Sequence, residues 1–151
     1  MQRISTMLIN LAALGLIAMT AVIGWQVFGR FVLDSSPSWS EQTALLLMVW
    51  YVFFAAAAGV WERFHIRIEI LEHRMQAANV RKLRIAIHAL IALLSLAIAV
   101  YGGMLAWLVH DNVIPSLGLS RSWAYVPLML AGALMVLFSL GRIHKRWTEK
   151  T

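Results

Sequence analysis

Five histidines are the side chains of this sequence best suited to binding a metal ion or a haem iron. His88 and His110 lie in one apolar stretch, but they are 22 positions apart, which is about 33 Å along a helix. His65 and His73 are eight residues apart, and neither HxxxH nor HExxH spacing occurs. His65 and His88 could meet near one membrane surface. That pair supports one alternative function, a membrane anchor subunit of a haem or quinone redox enzyme.

Acidic residues are absent from the four long uncharged stretches, residues 4–29, 42–61, 85–110 and 122–141. A chain that conducts protons or cations alone normally places Asp or Glu at mid-membrane. The absence therefore disfavours a second alternative, a self-contained four-helix exporter that works as a dimer. No nucleophile–base pair, phosphate loop or carboxylate cluster occurs, and the chain has no cysteine. We expect neither an enzyme nor a bound cofactor.

A serine-rich polar run, Asp34–Gln42, separates the first two apolar stretches. Ser38 and Glu41 have the S-x-x-E spacing of a capping box. We predict that Ser38 caps the following helix and that the Glu41 side chain folds back onto the amide of Ser38. Arg30 stands just before this run and needs an acidic partner. We predict that it pairs with Glu41 or with an acidic group of another subunit.

The composition predicts that these residues are positioned by membrane helices. Of 151 residues, 61% are hydrophobic and 13% are charged, which leaves too little polar surface for a soluble domain. The four uncharged stretches are 26, 20, 26 and 20 residues long, and a helix of about 20 residues crosses a bilayer. We therefore predict an all-α membrane protein, with residues 1–151 forming a single four-span domain.

Polar and small residues inside the predicted spans are interpreted as sites of helix packing. Asn10 and Gln26 in the first span and Ser95 in the third more often bond another helix than a substrate. Ala55–Gly59 would allow close helix approach, and so would Ala99 with Gly103.

The distribution of basic residues predicts the orientation. The N-terminus, the connection between spans two and three and the C-terminal tail together hold 11 of the 13 Lys and Arg residues. By the positive-inside rule both termini lie in the cytoplasm, as for a multi-pass protein of a bacterial inner membrane. The net charge of +6 is explained by this topology and by attraction to anionic lipid, without a nucleic-acid partner.

The connection between spans two and three carries a helical pattern over about residues 66–82. An apolar stripe recurs there at steps of three and four residues, at Ile68, Leu71, Met75 and Ala78. We predict a helix lying in the membrane surface, with lipid headgroups bound by Arg67, Arg74 and Arg81. A solvated charged helix is the alternative.

The stretch Trp25–Leu71 resembles the DctQ-like small membrane subunit of TRAP (tripartite ATP-independent periplasmic) transporters. It opens with WQVFGRFVL, enters the polar run and, from Ser38, reads SWSEQTALLLMVWYVFFAAAAGVWERFHIRIEIL. The later stretch LGLSRSWAYVPLMLAGALM is similar to the family's fourth span, with Tyr125 and Pro127 as anchors. Gln42 departs from the family's W-x-E-E pattern, which leaves Glu41 as the one acid there. The family's pattern is matched by Val27, Phe28, Arg30, Phe31, Trp39, Glu41, Trp50, His65, Ile66, Ile68 and Leu71.

This resemblance implies a small, non-catalytic scaffold subunit rather than a transporter that works alone. Its partners would be a large elevator-type membrane subunit and a periplasmic substrate-binding protein, and the complex would take up an organic acid with sodium. Sodium would bind the large subunit and not this chain. Arg30, Trp39, Glu41, Trp50 and His65 are the interface residues that the resemblance implies.

Overall fold

The computed structural model describes residues 2–35, 37–62 and 77–148. Four long helices dominate this part of the chain. They are α1 (Gln2–Val32), α2 (Ser38–Glu62), α3 (Ala77–Leu108) and α4 (Val126–Thr148), and a 3₁₀ helix, Arg121–Ala124, precedes α4. Each of the four contains a segment long and apolar enough to cross a membrane, so the predicted all-α fold with four spans is confirmed.

Helix α1 contacts the rest of the chain through one narrow seam. Its buried and half-buried residues recur at alternating steps of three and four, which is the spacing of coiled-coil packing. Gly15 lies on this seam, where an added Cβ would come 2.9 Å from the Cβ of Tyr51 in α2. The seam consists of Ser5, Leu8, Ala12, Gly15, Met19, Val22, Gln26 and Gly29.

The helices stand in a row in the order α1, α2, α4, α3. Helix α1 packs on α2, α3 packs on α4, and the two hairpins meet where α2 contacts α4. Only 11% of the apolar segment is buried in each of α1 and α3, against 28% in α2 and 33% in α4. The row is therefore open on two sides, and α1 and α3 form its two edges.

The hydrophobic core joins the two hairpins at the contact between α2 and α4. Ala57 and Ala58 of α2 are fully buried, as is Ala131 of α4, and Phe138 is 1% exposed. Small side chains let the helix backbones approach closely, and Phe138 then fills the remaining space. The prediction that small residues of Ala55–Gly59 allow close packing is confirmed for 57–59, whereas Ala55 is exposed.

Helices α3 and α4 approach each other closely at Gly132. An added Cβ there would lie 2.7 Å from the backbone nitrogen of Ala99 and 2.8 Å from the carbonyl oxygen of Ser95. On α3 the tight position is Gly102, where an added Cβ would lie 2.8 Å from the Cβ of Leu128, rather than the predicted Gly103. The expected contact at Ala99 is present.

The start of α3 corrects one predicted boundary. Residues 77–82 were expected to end a separate interfacial helix, but they belong to α3 and continue into the third span without a break. The physical reason is the absence of Gly and Pro from 77–84, where Ala, Lys, Arg and Leu favour helix. The rest of the predicted interfacial helix, 66–76, lies outside the described residues.

The connection from α3 to α4 contains a short β-hairpin that the sequence analysis did not predict. Strand β1 (Val113–Ile114) pairs with β2 (Leu119–Ser120) in antiparallel register. Gly118 has φ +66°, the left-handed conformation that glycine adopts without strain. The hairpin lies at the same end of the row as the connection from α1 to α2. We call this the loop end, and the end where α1 begins and α4 finishes the terminal end.

Candidate functional site

The tight connection at the loop end of α1 positions the residues predicted to bind another subunit. The Gly29 carbonyl accepts hydrogen bonds from the amides of Leu33 (3.2 Å) and Ser35 (3.0 Å). Asp34 adopts φ +48°, a left-handed conformation that Asp tolerates better than most residues. An added Cβ at Gly29 would lie 2.8 Å from the Ser35 carbonyl oxygen. This turn brings the end of α1 beside the start of α2.

Arg30 and Glu41 both lie exposed near this turn. Within the described part of the chain, Arg30 forms no ion pair with Asp34 or Glu41. The first alternative predicted for Arg30, a pair with Glu41 inside the chain, is therefore wrong for this structure. Both side chains are accessible from outside the chain, so they can meet charges on another molecule.

The predicted capping box is not formed. Helix α2 begins at Ser38 itself, so the carbonyl of Pro37 lies at the cap position. The Ser40 amide (3.3 Å) and the Ser40 hydroxyl (2.7 Å) both donate to this carbonyl. Neither Ser38 nor Glu41 makes a side-chain hydrogen bond with any other described residue. The helix starts one residue earlier than the motif requires, which leaves Glu41 available for other contacts.

Trp50 joins the two helical hairpins. Its indole Nε1 donates a 2.9 Å hydrogen bond to the carbonyl of Trp123 in the 3₁₀ helix. The two rings lie 6.1 Å apart, and Phe54 packs edge-on against Trp50 at 5.4 Å. Trp50 was predicted as an interface residue, and the contacts described are with its own chain. Trp39, by contrast, is 42% exposed.

Two serines hold the start of the fourth span at the loop end. The Ser120 hydroxyl accepts the amide of Ser122 and donates to the His110 carbonyl at 2.6 Å. The Ser122 hydroxyl donates to the Ala106 carbonyl, also at 2.6 Å. These bonds satisfy carbonyls near the end of α3 that have no helical partner. The sequence signal for them is the S-x-S pair in SRSW.

Two contacts at the terminal end were not predicted. The Ser5 hydroxyl of α1 donates a 2.9 Å hydrogen bond to Oε1 of Glu62 in α2. Arg142 of α4 donates to the Trp61 carbonyl, and its guanidinium lies over the Trp61 ring, 4.4 Å from the centroid. Together they connect three helices at one end of the row. No motif marks these pairs, because they depend on the relative register of distant helices.

Several predicted residues cannot be placed. His65, Arg67 and Arg74 lie outside the described residues, and Arg81 is within the backbone of α3 while its side chain is outside the described part. The headgroup-binding role of the three arginines and the interface role of His65 therefore stay predictions.

The described residues offer few side chains that could bind a metal ion or a haem. No group of three His, Asp or Glu side chains that could hold a metal ion occurs in residues 2–35, 37–62 and 77–148. His110 Nε2 lies 3.0 Å from Asp111 Oδ1, and both side chains are largely exposed. The haem alternative rests on His65, which lies outside these ranges, so the pair with His88 is not tested.

Four apolar helices, packed through small residues and connected at both ends by polar contacts, define an α-helical multi-pass membrane protein. The family model for the DctQ component of tripartite ATP-independent periplasmic transporters matches residues 19–149. The chain therefore belongs to this family, whose members are components of membrane transporters.

Two relatives extend the comparison. The sialic acid TRAP transporter small permease protein SiaQ of Vibrio cholerae serotype O1 is 26% identical over 133 residues, covering 83% of this chain and 73% of the relative. A putative TRAP transporter small permease protein of Haemophilus influenzae is 21% identical over 144 residues, covering 93% and 87%. Both are similar to the chain across most of its length.

Proposed function

We propose that this chain is the small, non-catalytic scaffold subunit of a TRAP transporter. It supports a large elevator-type membrane subunit that takes up an organic acid together with sodium, and a periplasmic binding protein delivers that acid. Sodium binds the large subunit in this scheme, and this chain carries no cofactor.

The observation that carries the proposal is the open row of helices. A protein that moves a solute by itself encloses a path between helices and lines it with polar groups. Among the described helices, α1 packs mainly on α2 and α3 mainly on α4, and the four apolar stretches contain no acidic residue. A row anchored at the terminal end by Ser5–Glu62 and Arg142–Trp61 suits a fixed frame better than a moving carrier.

The substrate class is supported by the relatives. The Vibrio cholerae protein is named as part of a sialic acid transporter, and sialic acid is a carboxylic acid. We propose a carboxylate substrate for this complex too, with the choice of acid made by the binding protein and the large subunit.

Reconstitution tests the proposal. The chain is purified with an affinity tag from cells that also make the neighbouring large membrane subunit, then placed in liposomes with the binding protein and an imposed sodium gradient. We expect uptake of the acid with all three components, and none when this chain is left out or used alone. Uptake by this chain alone, or a haem absorbance band in the purified chain, would contradict the proposal.

The proposed orientation in the bacterial inner membrane, with cytoplasmic termini, can be tested separately. Because the chain has no cysteine, single cysteines can be introduced at the exposed Ser35 and Asn112 and compared with one at Gln2. A membrane-impermeant maleimide applied to spheroplasts should label the first two and spare the third. Labelling of Gln2→Cys alone would reverse the orientation.

A further inference from the structure

Asn10 faces away from the helices that the structure describes. It is two residues from Leu8 and two from Ala12, and both of those are buried on the seam with α2. At 3.6 residues per turn this places Asn10 about 200° around α1 from each of them, on the opposite side. Its side chain is exposed, and it makes no hydrogen bond with the other described residues.

Asn10 also lies within the apolar part of α1. It is five residues beyond Ser5, which bonds Glu62 at the terminal end, so it sits about 7.5 Å further along the helix. Exposed apolar side chains surround it, including Ile9, Leu11 and Leu14. Its carboxamide has two N–H donors and an acceptor oxygen, and lipid chains offer no partner for them.

Both threonines on the exposed surface of α1 are satisfied locally. The Thr6 hydroxyl donates to the Gln2 carbonyl at 3.1 Å, and the Thr20 hydroxyl donates to the Leu16 carbonyl at 2.8 Å. Hydroxyl groups can thus remain in lipid by bonding to their own helix. Asn10 has no such bond, so its amide has to find a partner outside the described residues.

The opposite edge of the row has a different surface. The exposed side chains of α3 are mostly large and aliphatic, such as Leu93, Leu94 and Val100. Its exposed side chains that carry a polar group within the span include Tyr101 and Trp107, whose large rings keep most of their surface apolar. That edge suits acyl chains, whereas the edge carrying Asn10 suits another membrane helix.

We infer that the face of α1 around Asn10 docks a transmembrane helix of the large subunit, which bonds the Asn10 amide with a polar side chain at the same depth. The inference rests on the proposed function, which supplies that partner. Ala13 is exposed beside Asn10, and a Cβ added at Gly24 would meet no atom within 4 Å. The approaching helix therefore finds room along this face.

Photo-crosslinking in cells that contain the large subunit tests which edge is covered. The photoreactive residue p-benzoylphenylalanine replaces Ala13 on α1 or, as the matched control, Ala97 on α3, since both alanines are exposed within a span. We expect an adduct with the large subunit from position 13 and none from position 97. An adduct from 97 alone, an adduct between two copies of this chain from 13, or no adduct from either would overturn the inference.

Substitution of the amide gives an independent measurement. Asn10→Leu should weaken retention of the large subunit by about 3- to 30-fold, the range for a hydrogen bond between membrane helices. Asn10→Gln should keep part of the affinity, and Tyr101→Phe on the other edge should keep all of it. Thermal unfolding in detergent checks that each variant is folded. Unchanged retention by Asn10→Leu would contradict the inference.

The two proposals fail in different ways. If the unaltered chain does not retain the large subunit at all, both the proposed function and the proposed docking face are wrong. If the unaltered chain retains the large subunit while Asn10→Leu does so equally well, only the docking face is wrong.

Discussion

The indole of Trp50 donates its hydrogen to the carbonyl of Trp123, 73 positions further along the chain, across a distance of 2.9 Å. Trp50 lies about 18 Å along α2 from the start of that helix at Ser38. The 3₁₀ helix that opens the fourth span thus meets α2 well inside its length. This side-chain bond therefore fixes the position along α2 at which the second hairpin packs against the first.

Replacing Trp50 by phenylalanine should destabilise the isolated chain. The change removes the donor for the Trp123 carbonyl, worth about 0.5–1.5 kcal/mol, and shrinks the ring that packs on Phe54. We expect a lower unfolding temperature in detergent. The control is Trp39→Phe, because Trp39 is 42% exposed and its side chain bonds no other described residue. Equal effects of the two substitutions would show that the bond is not what stabilises the protein.

Gly132→Ala should separate α3 from α4. The added methyl group would lie 2.7 Å from the Ala99 nitrogen, and overpacking of this kind costs about 1–3 kcal/mol. Gly24→Ala is the matched control, since a Cβ at Gly24 meets nothing within 4 Å. There the better helix propensity of alanine, up to about 1 kcal/mol, should leave stability unchanged or raised. Unfolding of both variants in detergent measures the contrast, and similar losses would argue against close helix approach at Gly132.

The four spans could be predicted because charge-free length alone determines whether a helix can cross a membrane. The order of the helices in the row could not, because it depends on which small residues face each other. Gly102 and Gly103 are neighbours in sequence, yet a Cβ added at Gly102 would lie 2.8 Å from the Cβ of Leu128, whereas a Cβ added at Gly103 would lie 3.4 Å from the sulfur of Met129. Rotating α3 by one residue would exchange their roles, and the sequence contains no signal for that rotation.

At the candidate site, too, the sequence predicted the elements better than the contacts between side chains. The S-x-x-E motif at Ser38 predicted the start of α2 to within one residue but not its first contacts, since Ser40 bonds the Pro37 carbonyl instead. Arg30 was predicted to pair with Glu41 or with an acidic group of another subunit, and the structure leaves it exposed, with no ion pair to Glu41. The contact of Ser5 with Glu62 joins residues 57 positions apart. Such pairs follow from helix packing, which local sequence patterns do not encode.

Arg142→Lys should weaken the terminal end of the row even though it preserves the charge. The planar guanidinium lies 4.4 Å from the centre of the Trp61 ring and also donates to the Trp61 carbonyl. A lysine cannot stack and bond in this way at once, so we expect a loss of about 0.5–2 kcal/mol. Arg121→Lys, at an exposed arginine of the loop end, is the control. Equal unfolding temperatures of the two variants in detergent would contradict a role for the stacked geometry.

Arg30→Ala should leave the stability of the isolated chain almost unchanged but weaken its assembly with the large subunit. Because Arg30 forms no ion pair within the described residues, its removal should change the unfolding free energy of the isolated chain by less than about 0.5 kcal/mol. In the proposed transporter it should lower retention of the large subunit, since loss of one partner of a buried charge pair costs about 2 kcal/mol or more. Arg30→Glu should weaken retention further, and Arg121→Ala, the exposed arginine on the same end, should not. Pull-down of the large subunit by each tagged variant measures the effect, and full retention by Arg30→Glu would exclude an acidic partner for Arg30.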